Sequence, residues 1–319
     1  MRLRTAVVGV GYLGRFHAEK YAAHPGAELV GVVDVDPGRA REVAAALGAE
    51  ALTDHRALAG RVDCASVAVP TQQHFEVARD LLEAGIDVLV EKPVTTTVEE
   101  AKALVELAVR GARVFQVGHL ERFNPAVLAL EGLVTQPRFI ECHRLAPFTE
   151  RGTDVDVVLD LMIHDLDVIL SMVPSALRSV EAVGVPVLTN CVDIANARLR
   201  FANGCIANVT ASRVSMKRER KIRIFQADAY LAVDYGERRV RICRREPDAD
   251  GQAALTLEER EVPEGDALEA EVDAFLRAVR AREAPAVSGW DGLRALEVAH
   301  VIRESLETEV RAVQAASAS

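Results

Sequence analysis

An α/β fold in two parts is expected for this chain of 319 residues. Three observations point to it. Strand-like and helix-like segments alternate through the first 120 residues. A glycine-spaced turn joins the first strand to the first helix. Beyond that point strands follow one another, linked by hairpin signals. Strict alternation builds a parallel sheet with helices on both faces, whereas hairpins build an antiparallel sheet that can leave one face open to a partner. The expected division is residues 1–120 and 121–319.

Leu3–Val10 is an apolar, β-branched run that reads as a buried strand. Gly9-x-Gly11-x-x-Gly14 follows and opens a helix over Leu13–Tyr21. Glu28–Val33 is a second strand, ending at Asp34. The first glycine allows a tight turn, the second lets a pyrophosphate approach the backbone, and the third lets helix and strand pack closely. The helix N-terminus offers free N–H groups and a positive dipole end to phosphates. An acidic residue about 20 positions on, here Asp34, is placed to accept hydrogen bonds from an adenosine ribose. Together these parts read as a Rossmann dinucleotide-binding unit, with Gly9, Gly11, Tyr12, Leu13, Gly14 and Asp34 at the cofactor. The alternative is a tight turn in some other α/β protein. Asp34 would repel a 2′-phosphate and so favours NAD over NADP; Arg39 and Arg41 lie close enough to soften that preference.

The remaining elements follow in order. Pro37–Leu47 is a helix with proline in its first turn, where the missing N–H costs nothing. Asp63–Val69, Asp87–Val90 and Arg113–Val117 read as strands, and Gln73–Glu83 as a helix closed by Gly85. Thr97 and Glu100 form a capping box for a helix that runs to Arg110 and stops at Gly111. A helix over Asn124–Leu133 and a strand over Arg138–Leu145 come next. Val157–Met172 reads as an apolar helix. Seven strands follow: Ser179–Val187, Val192–Phe201, Cys205–Ser212, Lys221–Gln226, Tyr230–Asp234, Val240–Arg244 and Leu255–Glu261. Asn203-Gly204 is a hairpin turn signal. Helices over Ala267–Arg282 and Asp291–Val313 close the chain, and Ala315–Ser319 is expected to fray.

Hydrophobic residues make up 50% and charged residues 27%, ordinary for a globular protein with real cores. A net charge of −10 argues against a general nucleic-acid or anionic-membrane surface. A phosphorylated substrate would need locally clustered arginines. Five scattered cysteines with no metal-ligand spacing read as reduced thiols of a cytoplasmic protein. No signal peptide and no membrane-spanning run is apparent.

Two clusters carry chemistry. Glu91-Lys92-Pro93 stands just past a buried strand, at the sheet edge where ligands bind in open α/β folds. Pro93 holds Lys92 near the cofactor edge; alone, the tripeptide reads equally well as a solvated strand end. Asp160, His164 and Asp167 share one stripe of an otherwise apolar helix, so they must be paired or functional. A histidine acid/base oriented by Asp160 is the functional reading. A self-satisfied core pair and a divalent-metal site are the alternatives, and no metal is expected.

GVGYLG, the strand-end Glu91-Lys92-Pro93 and Asp160-x-x-x-His164-x-x-Asp167 together resemble the glucose–fructose oxidoreductase/inositol dehydrogenase (Gfo/Idh/MocA) family over essentially the whole chain. The resemblance implies a Rossmann domain followed by an α/β domain with a large, mainly antiparallel open sheet, often used for oligomerisation. A homodimer or homotetramer through that sheet is thus expected. It implies Lys92, Asp160 and His164 as the catalytic set, Pro70, Thr71 and His74 along the NAD, and Glu91 near the nicotinamide ribose. Many members carry a Gly-Gly pair where this chain has Arg151-Gly152-Thr153-Asp154-Val155-Asp156, so the substrate-facing loop differs.

His119-Leu-Glu-Arg122-Phe-Asn124-Pro and Val158-Leu-Asp-Leu-Met-Ile-His164-Asp resemble a narrower branch, the UDP-N-acetylglucosamine 3-dehydrogenases. A UDP-sugar needs cations for its diphosphate, and guanidinium suits phosphate. Arg122, Arg144, Arg151 and Arg213 are the candidates, with Asn124, Asp160 and His164 also expected at the substrate. The alternative for each arginine is a solvated edge or an ion pair. The expected reaction is NAD-dependent oxidation of a secondary sugar hydroxyl. His164 moves the hydroxyl proton and Lys92 steadies the developing charge on the oxygen. A dehydrogenase of a free polyol or aldose, and a non-catalytic NAD-binding regulator, are the rival readings.

Overall fold

A computed structural model of the chain describes residues 2–149, 155–247 and 253–317. The chain divides into two compact units, residues 1–123 with 266–296, and residues 124–265 with 297–319.

The first unit holds a six-stranded, fully parallel sheet in the order β3-β2-β1-β4-β5-β6. Its strands are β1 (Leu3–Val8), β2 (Ala27–Val33), β3 (Glu50–Leu52), β4 (Cys64–Val67), β5 (Asp87–Glu91) and β6 (Phe115–Gly118). Helices α1 (Tyr12–Ala23), α2 (Pro37–Leu47), α3 (Thr71–Glu83) and α4 (Val98–Arg110) connect them. The strand order reverses at β1, which makes a topological switch point there. Register aligns the outgoing ends: Val8 pairs with Val33 and Val67, and Val67 with Val90. Gly9, Asp34, Ala68 and Glu91 therefore leave the sheet side by side. Strand β3 escapes sequence detection because three residues are too few for a period. The capping box at Thr97 and Glu100 forms as expected.

Helix α7 (Ala267–Ala281) belongs to this unit. A single cut at residue 120 misses it. The reason is its apolar stripe: Val272, Phe275, Leu276 and Val279 are buried in one core with Val7, Ala18, Tyr21, Leu29 and Leu89.

The second unit is built on an eight-stranded sheet in the order β14-β13-β12-β11-β7-β10-β9-β8. Its strands are β7 (Phe139–Leu145), β8 (Leu177–Val185), β9 (Ile194–Phe201), β10 (Ile206–Ser212), β11 (Glu219–Phe225), β12 (Ala229–Asp234), β13 (Arg239–Pro247) and β14 (Ala253–Glu261). Every pairing is antiparallel except that of β7 with β10. Buried and solvated positions alternate along β9 and β10, so one face supplies the core through Ala197, Leu199, Ala207 and Val209. Ile163, Leu166 and Ile169 of α6 (Ile163–Met172) are fully buried as well. Gly204 takes φ +86° in the hairpin joining β9 and β10, the conformation that glycine adopts freely.

Two expectations need correction. The helix over Asn124–Leu133 is one turn, α5 (Pro125–Leu128). Beyond it the backbone closes i to i+3 bonds from Leu130 to Val127 and Glu131 to Leu128, and Gly132 at φ +73° ends the run. The helix expected from Val157 begins as a π-turn over Val158–Met162 before α6 starts. The closing helix α8 (Gly289–Ser317) extends into the stretch expected to fray; the last two residues lie outside the described ones. All five cysteines are free thiols, and no described helix is long and apolar enough to cross a membrane.

Asp193 anchors the loop between β8 and β9. It is fully buried, and it accepts the backbone N–H groups of Val187, Leu188 and Thr189 and the Thr189 hydroxyl at 2.6–2.8 Å. Burial alone would raise its pKa, but these donors outweigh burial and hold it at about 2 against an ordinary 3.8. A lowered folded pKa stabilises above the unfolded value and loses its effect as pH falls through the folded one. Asp193→Asn is therefore expected to cost about 2 kcal/mol at neutral pH. In urea unfolding, the gap from wild type should shrink as pH drops from about 4 to about 2.

Candidate active site

In the first unit, the turn after β1 has the geometry its glycines suggest. Gly9 takes φ +84°, and its N–H donates to the Val33 carbonyl at 2.8 Å. A Cβ on Gly14 would stand 1.8 Å from the Gly9 carbonyl oxygen, so α1 packs directly on the turn. A Cβ on Gly11 would meet nothing within 4 Å, and no side chain caps the helix there. The open helix N-terminus thus fits a diphosphate. Tyr12 is 68% exposed and meets Phe16 edge-on at 5.3 Å, while Leu13 is half-buried.

Asp34 is buried beside this turn. One carboxylate oxygen accepts the Val10 N–H at 3.0 Å and the other the Asp36 N–H at 2.9 Å, which orients the group. Arg39 reaches both oxygens at 3.4 Å. The cation expected to soften the repulsion of a 2′-phosphate therefore touches the carboxylate itself.

The ends of β4 and β5 are tied together by a residue assigned to the cofactor from sequence. His74 is 1% exposed, and its ring nitrogens lie 2.8 Å from the Pro93 carbonyl and 2.9 Å from the Val69 carbonyl. Burial lowers its pKa, against the two carbonyls and Glu91, which favour the cation. His74 clamps two loops together instead of facing outward. Pro70, the N-cap of α3, is exposed and Thr71 is half-buried, so both remain at the surface of that edge.

Glu91 also turns inward. Its Oε1 lies 2.9 Å from His17 Nε2, and its Oε2 accepts the Lys92 backbone N–H at 3.3 Å. His17 Nδ1 lies 3.2 Å from Ser66 Oγ, which lies 2.8 Å from the Tyr21 hydroxyl. Burial keeps Tyr21 protonated. One assignment satisfies every member: Tyr21 donates to Ser66, Ser66 to His17 Nδ1, and His17 through Nε2–H to Glu91. Burial alone would raise the Glu91 pKa; the His17 hydrogen bond and the nearby Lys92 charge reverse it, and the net direction is down. A Cβ on Gly118, paired with Glu91 across β6, would fall 2.9 Å from Oε1, so the neighbouring strand makes room for the carboxylate. Lys92 is half-buried at the open end of β5. His17 was missed from sequence. Its signal was the i, i+3, i+4, i+7 spacing of Gly14, His17, Ala18 and Tyr21, all buried in α1.

In the second unit, the π-turn carries Asp160, and α6 carries His164 and Asp167. Asp156 caps the start by accepting the N–H groups of Val158 and Leu159 at 3.0 and 3.1 Å. π-Turns inside helices recur at functional sites because they re-aim side chains. Asp160 is 34% exposed, with Arg213 Nη2 3.9 Å from its Oδ2. His164 is half-buried and Asp167 fully buried.

The arginines divide. Arg144 is 7% exposed and makes a two-pronged ion pair with Asp165 at 2.8 and 2.9 Å. Arg213 is 6% exposed, donates to the Val155 carbonyl at 2.6 Å, and lies 3.9 Å from Asp193. Both engage carboxylates and a carbonyl of the second unit itself. Asp165, the partner of Arg144, stands off the stripe of Asp160, His164 and Asp167, so that spacing carries no signal for it. In the first unit Arg122 is half-buried, with Nη2 3.4 Å from the Ala286 carbonyl. Asn124 caps α5 by accepting the Ala126 N–H at 3.0 Å. Arg151 lies outside the described residues. Among those residues, the one close group of three potential metal ligands is His17, Glu91 and Glu271, all in the first unit.

A glycine turn that leaves a helix N-terminus open, beside a strand-end carboxylate in a doubly wound sheet, defines a dinucleotide-binding protein. Comparison with known proteins carries this further. Residues 3–119 match the model of the oxidoreductase family with an NAD-binding Rossmann fold, and residues 126–231 match the GFO/IDH/MocA C-terminal domain. The chain is 40% identical to UDP-N-acetylglucosamine 3-dehydrogenase of Acidithiobacillus ferrooxidans over 96% of its own length and 98% of the other. A solved structure of that enzyme, GnnA, superposes with a TM-score of 0.91, covering 97% of this chain and 99% of that one. The scyllo-inositol 2-dehydrogenase (NAD(+)) of Bacillus subtilis is 31% identical over 67% of this chain and 68% of its own. The chain belongs to the Gfo/Idh/MocA oxidoreductase family. NAD is its cofactor.

Gly14→Ala places a Cβ against the Gly9 carbonyl. It is expected to destabilise the first unit by about 2 kcal/mol and to weaken NAD binding. Urea unfolding and calorimetric titration with NAD read the two effects separately.

Proposed function

We propose that this protein oxidises a secondary hydroxyl of a UDP-linked amino sugar of the UDP-N-acetylglucosamine class, at carbon 3. The observation that carries this reading is the 40% identity to a UDP-N-acetylglucosamine 3-dehydrogenase across almost the whole of both chains. The retained Lys92, Asp160 and His164 support it. Bound NAD supplies the hydride acceptor. The protein's own residues do the rest. His164 takes the hydroxyl proton as general base. The Lys92 ammonium donates to the same oxygen and stabilises the negative charge that grows on it. Asp160 keeps the histidine in its working orientation. Gly9, Gly11 and Gly14 shape the turn that receives the cofactor diphosphate.

Arg122 and Arg151 are the candidates for the substrate diphosphate, with Arg144 and Arg213 engaged inside the second unit. Arg144 instead braces the helix that carries His164, through Asp165. We also place the reaction in the cytoplasm and expect self-association as a dimer or tetramer. Edge strands β8 and β14 leave Val183, Val185, Leu255 and Leu257 exposed, which supports a partner at the sheet. The alternative substrate is a free polyol, favoured by the likeness to inositol dehydrogenases.

His164→Ala is expected to lower turnover at saturating substrate by at least about a hundredfold while NAD affinity stays near wild type. Wild-type turnover in that variant would remove His164 from the mechanism. UDP alone should raise the melting temperature if the diphosphate is recognised. Protection by inositol but not by UDP would move the assignment to a polyol.

A further inference from the structure

Behind the strand-end glutamate lies a carboxyl group with no task in the reaction. Glu271 on α7 is 0% exposed, and neither of its carboxyl oxygens makes a hydrogen bond. Its backbone carbonyl accepts from Gln116 Nε2 on β6 at 3.2 Å, which fixes the residue against the sheet. One carboxyl oxygen each of Glu271 and Glu91 and one ring nitrogen of His17 lie within 4.8 Å of one another. Two carboxylates this close and this deep cannot both be ionised. Either a cation joins them or one keeps its proton.

The hydrogen bonds discriminate. His17 has both nitrogens committed, to Ser66 and to Glu91, and an ionised Glu91 can only accept, so Nε2 carries the proton between them. A metal would need Nε2 as a lone-pair ligand and would break that donation. Glu91 already receives two donors, so the charge is best held there. Glu271 receives none, so the proton is best held there. Burial, and then the charge on Glu91, push the Glu271 pKa well up.

We propose that Glu271 is kept as a neutral carboxylic acid facing the Glu91 carboxylate, and that it is a positioning residue for Lys92. The pair then carries one negative charge. That charge stays on Glu91, where it accepts the Lys92 backbone N–H and draws on the Lys92 ammonium. The groups around the pair are His17 and Tyr21 on α1, Ser66 on β4, His74 on α3, Lys92 after β5, and Gln116 on β6 beside Glu271. This proposal rests on the reading of Lys92 as the residue that stabilises the alkoxide.

Infrared difference spectra of Glu271→Gln against wild-type protein at pH 8 test the proton directly. The carbonyl stretch of a protonated carboxylic acid is expected in wild type and in Lys92→Ala, and is expected to vanish in Glu271→Gln. Kinetics test the positioning. Glu271→Gln, neutral and able to donate, should keep kcat within about threefold of wild type, whereas Glu271→Leu should lower kcat roughly tenfold to a hundredfold with NAD affinity little changed. The melting temperature of each variant shows that it is folded. Absence of the stretch, equal damage by Gln and Leu, or a stoichiometric divalent metal released by Glu271→Gln would overturn the proposal. A stretch that behaves as expected, with wild-type turnover in Lys92→Ala, would instead overturn the role given to Lys92.

Discussion

The first unit depends on one buried negative charge, the carboxylate of Glu91. An ionised carboxylate inside a protein is tolerated where donors surround it. Here the donors come from α1 through His17 and from the backbone of Lys92. Making room for the group requires a glycine on the next strand, Gly118. The arrangement ties helix, sheet and the outgoing end of β5 into one piece. A lysine placed on that end inherits the rigidity of a strand rather than the freedom of a loop, and site groups need that precision.

The second unit solves a similar problem with arginine. Arg144 and Asp165 neutralise each other within the core, and Arg213 stands near both Asp160 and Asp193. A buried pair of this kind contributes little net stability, but losing one partner leaves the other charged and stranded. Its use here is geometric. It holds the π-turn and α6 in register with β7 and β10, so Asp160 and His164 project from a fixed support. Arg144 and Arg213 are parts of this framework.

Much of the fold was legible because periodicity and capping chemistry are local. The apolar run of β1, the glycine turn, the capping box at Thr97 and Glu100, and the hairpin at Asn203-Gly204 each announce themselves within a few residues. Errors arose where local pattern competes with its surroundings. The stretch after Asn124 has helical composition but tightens into turns before Gly132. Val157–Met172 has the stripe of an α-helix, yet its first turn widens. The resemblance placed His74 along the NAD and chain position suggested Arg144 for the substrate; burial and hydrogen-bond partner can be read from neither.

From the residues alone come the doubly wound sheet, the dinucleotide turn, the acidic strand end at Asp34 and the family to which the chain belongs, because each rests on short-range spacing. The tertiary structure decided which polar groups are spent inside. It turned Glu91 and His74 inward, paired Arg144 with Asp165, brought α7 back to the first sheet and set Glu271 against Glu91. The physical reason is that the protonation state and availability of a charged side chain depend on partners far away in the chain. Those partners meet only when the packing of the core brings them together.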